Sequence, residues 1–144
     1  MKAKPAMTRG GAAFAFLLLA FAGPGPAAAE KDTTALCAEA AARYEAMTGR
    51  APGDENVPVI LTYKYVFCPL KLEVRTGTTV RWVNVEKRTN HSVWFKDAGL
   101  EETERFFPEE SVEQTLNLPP GDHLYLCGPH WQDHDMVGTI TITK

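Results

Sequence analysis

Tyr125-Leu-Cys127-Gly-Pro-His130-Trp-Gln-Asp-His134-Asp-Met136 stands near the end of this 144-residue chain. It sets a thiol, an imidazole and a thioether within the ten residues from Cys127 to Met136. Gly128 and Pro129 suit a tight turn, so one loop can present Cys127 and His130 to a single ion. Soft sulfur donors favour copper, and a His2Cys set with a more distant Met suits an electron-transfer copper site. The second imidazole must come from upstream. Asn90-His91-Ser92-Val93 supplies it, after the polar turn Lys87-Arg-Thr-Asn90.

The segments around these two sites alternate with period two. Val59, Leu61, Tyr63, Tyr65 and Phe67 form one such run, and Leu70, Leu72 and Val74 a second, before the turn Thr76-Gly77-Thr78. Val80, Trp82 and Asn84 follow, then His91, Val93 and Phe95. Lys96 to Pro108 reads as a polar loop. Val112 to Leu118 is a strand, Pro119-Pro-Gly-Asp122 a turn, and Leu124 to Cys127 and Val137 to Thr143 are the last strands. Short strands at this spacing predict a β-sandwich.

The part before Val57 differs. Asp32 to Thr48 reads as a helix, with capping oxygens from Asp32, Thr33 and Thr34. Leu36, Ala40, Tyr44 and Met47 fall on one face, and Gly49 ends it. Residues 1–29 carry Lys2, Lys4 and Arg9, then an apolar run around Leu17-Leu-Leu19, then Ala27-Ala-Ala29. That is the pattern of a secretory signal peptide cut after Ala29. No Cys follows the cut, so no lipid anchor is expected, and no other run is long enough to span a bilayer. The expected division is signal peptide 1–29, helix and loop 30–56, and a β domain 57–144. All 18 acids but only 12 of the 15 basic residues follow Ala29, a net charge of 12 − 18 = −6. Such a balance argues against nucleic-acid binding and suits a basic protein partner. Three cysteines cannot all pair. With Cys127 in the ligand loop, Cys37 and Cys68 remain as a candidate disulfide, which an oxidising compartment permits.

Cys68-Pro-Leu-Lys-Leu-Glu-Val-Arg-Thr-Gly-Thr-Thr-Val-Arg-Trp-Val-Asn84 resembles the entry strands of a cupredoxin, a small blue copper protein of the plastocyanin/azurin type. Pro120-Gly-Asp-His-Leu-Tyr125-Leu-Cys127-Gly-Pro-His130 resembles the hairpin that bears that family's ligands. The likeness runs over about residues 57–144. It implies an all-β, eight-stranded Greek-key sandwich, here with an extra N-terminal helix, and one type 1 copper ion held by His91, Cys127, His130 and Met136. Five residues separate His130 from Met136, one more than in plastocyanin-like members, while the Cys127-to-Met136 interval equals that of azurin-like ones. Met136 has an alternative as a core residue starting the last strand. His134 is the rival of His130, and His123 reads as a surface residue.

In this family the residue after the upstream His often gives a backbone N–H to the sulfur. Here it is Ser92, where many relatives have an Asn that ties the two ligand loops; Asn90 is the candidate substitute. The signal pattern implies an exported, periplasmic or secreted protein. The resemblance implies that it carries single electrons between redox proteins such as a cytochrome or a periplasmic oxidoreductase, with monomer the expected state of a diffusing carrier. It would have no catalytic residues and no membrane anchor after signal removal. His130 would be the exposed port, with Trp131 beside it. Asp97, Glu101, Glu102, Glu104, Glu109, Glu110 and Glu113 read either as a solvated acidic loop or as a surface that steers a basic partner. The alternative is a periplasmic copper carrier or chaperone delivering copper to a metalloenzyme.

Overall fold

The computed structural model describes residues 1–3 and 32–144. The expected signal peptide falls almost wholly outside them. The compact unit Lys31–Lys144 begins with helix α1, Thr34–Thr48. Thr33 stands at its N-cap without a side-chain bond; Asp32 Oδ1 instead accepts from the Thr34 N–H at 3.0 Å. Gly49 closes the helix at φ 75°, a left-handed conformation that costs glycine little. Ala40 and Tyr44 are buried against the sheet, whereas Met47 is exposed. Among the described residues, no helix is long and apolar enough to cross a membrane.

Seven strands follow among the described residues: β1 Val59–Tyr63, β2 Val66–Cys68, β3 Lys71–Arg75, β4 Thr78–Asn84, β5 Ser111–Leu116, β6 Gly121–Leu126 and β7 Val137–Thr143. A short helix, α2, Trp131–His134, precedes β7. One sheet has the order β2-β1-β4-β5, the other β3-β7-β6. The expected sandwich is there, but the run from Val59 to Phe67 is two strands, not one. Lys64 and Tyr65 take φ 46° and 60°, and the chain folds back to pair Tyr63 with Val66. Two consecutive left-handed residues match the twist of a tight hairpin.

Every residue of β1 is buried because the strand is covered on both faces. Val59, Leu61 and Tyr63 pack with Ala40 and Tyr44 of α1. Ile60 joins the core between the sheets, with Trp82, Phe95, Tyr125 and Ile140. Cys37 and Cys68 form the expected disulfide, with Cα atoms 5.2 Å apart. Closing a loop of this length stabilises the fold by about 3–4 kcal/mol in the chain-entropy account.

The implied eighth strand, through His91, Val93 and Phe95, is reduced to isolated bridges. His91 pairs once with Phe106 and Trp94 once with Leu126. The reason lies in where the backbone groups go. The Val93 N–H donates to a side chain, Thr103 Oγ1, at 2.9 Å, and the Val93 carbonyl accepts from Thr103 N. A strand that divides its bonds among three partners cannot extend a ladder along any one of them.

Candidate metal centre

The two sheets bring the separated motifs to one place. β6 delivers Cys127 to its end, fully buried. The chain then turns on its own backbone: the N–H groups of His130 and Trp131 both donate to the Cys127 carbonyl, at 3.0 and 2.9 Å. The loop closes when Cys127 N–H donates to the Met136 carbonyl at 3.0 Å. Met136 is thereby buried in the cluster that contains Cys127. Gly138, just beyond, lies under the Tyr125 ring, where an added Cβ would meet ring atoms at 2.5 Å.

His91 arrives from the long excursion between β4 and β5. It is fully buried, its Nδ1 3.6 Å from Cys127 Sγ. His130 is half-buried, its Nδ1 3.4 Å from the same sulfur. The donor atoms of His91, Cys127 and His130 all lie within 4.8 Å of one another. Donors ~2.0–2.3 Å from one ion and spread about it at wide angles stand ~3.5 Å apart. The nitrogen-to-sulfur spacings therefore fit a single transition-metal ion, and the sulfur favours copper.

The electrostatics agree. Burial pushes the Cys127 thiol up from its ordinary value, while N–H groups of Ser92 and His130 at the sulfur work the other way. A buried sulfur provided with N–H donors, yet slow to ionise alone, suits a cation that would deprotonate it. Burial, followed by the charges of His91 and His134, lowers the pKa of His130 and keeps it a neutral donor.

His91 is oriented from behind. Its Nε2 lies 3.0 Å from Glu86 Oε1. Burial raises the Glu86 carboxyl, but bonds from His91, Thr89 and the Lys64 N–H outweigh it and the net shift is down. A carboxylate on the outer nitrogen fixes a ligand's tautomer and ring plane. Glu86 N–H in turn donates to Asn84 Oδ1 at 2.9 Å, and Asn84 Nδ2 donates to the carbonyls of Thr89 at 2.6 Å and Phe106 at 3.3 Å.

The tie between the two loops is Ser92. Its hydroxyl accepts from Gly128 N–H at 2.9 Å and donates to Glu102 Oε1 at 2.6 Å. Among the described residues the Asn90 side chain has no place in that chain of bonds. An added Cβ on Gly128 would come 1.9 Å from Glu102 Oε1, so the glycine leaves room for this carboxylate. Glu102, counted in the acidic run, thus turns one oxygen to Ser92 while remaining exposed. Glu110 accepts from Phe107 N–H and Glu113 pairs with Arg81 at 2.7 Å, so three of those seven acids are exposed but already bonded within the chain.

His134 stands outside the cluster. It is exposed and its ring stacks on Tyr65 at 3.7 Å. Tyr65 also meets His130 edge-on at 4.9 Å, so the rim of the site is an aromatic group. His123 bonds the Pro119 carbonyl at 2.7 Å, far along β6 from the cluster. Trp131 is half-buried, with Lys96 Nζ 4.9 Å from its ring and 5.3 Å from that of Trp94. Asn84, Glu86, Glu102, Tyr65 and Lys96 are the site residues that the sequence did not announce. Only Asn84, a polar side chain in an apolar register of a strand, carried a signal.

Comparison with known proteins points the same way. The model of the copper binding proteins, plastocyanin/azurin family, matches residues 60–143, more than half of the chain. A plastocyanin from Nostoc punctiforme (strain ATCC 29133 / PCC 73102) is 29% identical over 97 residues. That match covers 53% of this chain and 63% of the plastocyanin, less than two thirds of the relative's length. The amicyanin of Paracoccus versutus (Thiobacillus versutus) superposes with a TM-score of 0.53 at 25% identity, over 65% of this chain and 89% of its own. A proline-to-glycine variant of amicyanin, in its reduced Cu(I) form at pH 4, gives a TM-score of 0.53 at 24% identity, over 65% of this chain and 90% of that one. With the cluster of His91, Cys127 and His130 at the end of the sandwich, this chain is a cupredoxin and belongs to the plastocyanin/azurin family of copper-binding proteins.

Proposed function

We propose that this protein is an exported carrier of single electrons, with one type 1 copper ion held by His91, Cys127, His130 and Met136. The observation that carries the reading is the convergence of one buried sulfur and two imidazole nitrogens from opposite ends of the sequence. Copper bound there would alternate between its two common oxidation states, taking or giving one electron. The chain's own part is to hold still. His91 is locked by Glu86, Cys127 by the backbone of its loop, and the two segments by Ser92. Met136, buried in the same cluster as Cys127, would supply a thioether sulfur to the ion in this reading and help set its potential. His130 and the Tyr65 ring beside it lie toward solvent and offer the port to a redox partner.

Export is supported by the N-terminal signal pattern in residues 1–29 and by the Cys37–Cys68 bond, since such bonds persist in oxidising compartments. The carrier needs no catalytic residue, and we assign none.

Cys127→Ser tests the assignment of the sulfur. The intense visible colour of the copper-loaded protein should vanish while the β-sheet circular dichroism stays. Retained colour would remove Cys127 from the ligand set and bring forward a copper-delivery role.

A further inference from the structure

The turn between β1 and β2 places its two left-handed residues in different settings. Tyr65 lies against His130 and His134. Lys64 instead lines an open depression of about 280 Å³, together with Arg43, Tyr63, Glu86, Lys87 and Arg88. Four cations thus surround one lining carboxylate. Arg43 and Lys64 stand 4.8 and 4.9 Å from the Tyr63 ring centre and share Glu39, at 3.8 and 3.0 Å. Lys87 and Arg88 are exposed, and among the described residues neither belongs to an ion pair. Glu109 lies near Lys87 in the adjoining hollow, a further acid beside Glu86 and Glu39.

The single carboxylate of the depression is the one that holds His91. Glu86 bonds the ligand nitrogen on one side and lines the depression on the other. A rim of four cations, two of them paired with Glu39, therefore sits one hydrogen bond from the candidate metal group, with Lys87 and Arg88 as its exposed positive charges. It does so in a chain whose net charge after residue 29 is 12 − 18 = −6. A local field opposite to the net charge selects and orients an oppositely charged face more than it adds affinity. Among the described residues Lys87 and Arg88 make no ion pair, and their loop is the one that leads into His91.

We propose that this depression is a docking surface for the acidic face of a redox-partner protein. It brings that partner to Glu86, on the buried-ligand side of the site, and leaves the His130 port to the carrier's other redox partner. The proposal rests on the electron-carrier reading. One electron crosses between the partner's centre and the copper; one is oxidised and the other reduced, and no proton or group moves. The favoured partner is acidic here, the reverse of the one expected from the acidic run alone.

The test uses the copper-loaded, reduced protein, whose amide signals stay sharp. Hexacyanochromate(III), a trianion inert to reduction by the protein, serves as a paramagnetic probe. Poly-glutamate stands in for an acidic protein face. Both should act on the amides of Lys64, Lys87, Arg88 and Thr89. The double variant Lys87→Glu, Arg88→Glu should weaken both about tenfold or more, with the visible spectrum of its oxidised form unchanged. Broadening centred on other amides, or indifference to the double variant, would overturn the proposal. So would displacement of the trianion by inorganic phosphate where poly-glutamate fails, which would mark a small-anion pocket. Binding as predicted in a protein that shows no copper–thiolate colour would instead overturn the electron-carrier reading, leaving a surface with no redox partner to serve.

Discussion

The two segments that meet at the metal site are built on different principles. The loop from Cys127 to Met136 has its own backbone scaffold: its backbone–backbone bonds run between residues at most nine apart, closing from Cys127 N–H to the Met136 carbonyl. The segment around His91 depends largely on side chains instead of a backbone turn. It is fixed by Asn84, Glu86, Thr103 and Phe106, and by the Ser92–Glu102 bond. Local geometry suffices to place two ligands on one tight loop. Placing a ligand from a long excursion takes buried polar side chains reaching across it.

If that contrast is right, damage to the upstream supports should spread further than damage within the ligand loop. The largest effect is expected from Asn84→Ala. It removes three hydrogen bonds at a fully buried position and leaves backbone carbonyls of Thr89 and Phe106 without this partner. Denaturant unfolding should show a loss of about 3 kcal/mol, and hydrogen exchange should quicken from Glu86 to Phe106. A loss confined to Asn84 itself would dissolve the distinction between the segments.

Ser92→Ala comes next. It cuts the only side-chain tie from the upstream segment to Gly128 among the described residues. We expect about 1–2 kcal/mol and faster loss of copper to a chelator, with secondary structure intact. Unchanged metal release would mean that each loop holds its ligands unaided.

Gly128→Ala should cost less, about 1 kcal/mol or under, because the atom it meets is the mobile end of Glu102. Its signature is indirect. The Glu102 carboxylate must swing away from Ser92, so Gly128→Ala and Glu102→Gln should be markedly non-additive in unfolding experiments. Simple additivity would show that the carboxylate is not shared between the loops. Met136→Leu should leave stability nearly unchanged, since it swaps buried side chains of similar volume, and should raise the reduction potential. An unaltered potential would return Met136 to the core.

The same contrast explains what could be read from the sequence. Cys127, His130 and Met136 were legible because their relation is a spacing along the chain. Period-two alternation located β3, β4 and β7, and Gly49 the end of α1. His91 was found as the one upstream His in a strand-and-turn setting, but its supports were not. Glu86 and Glu102 look like ordinary surface acids until folding places them 3.0 Å from His91 Nε2 and 2.6 Å from Ser92 Oγ. The Lys64–Tyr65 turn was hidden for another reason. It carries neither Gly nor Asn, so nothing marked the break in an otherwise continuous alternation. The single bridges at His91 and Trp94, in place of a full strand, follow from side-chain competition for backbone bonds, which periodicity does not register.

The most direct test is the combined visible and electron-spin-resonance spectrum of the copper-loaded, oxidised protein. The account predicts strong absorption toward the red with a narrow copper hyperfine splitting, the mark of a short copper–thiolate bond at Cys127 between His91 and His130. A weak visible band with an ordinary, wide splitting would contradict it, because the sulfur at the centre of this cluster would then not be bound to the metal.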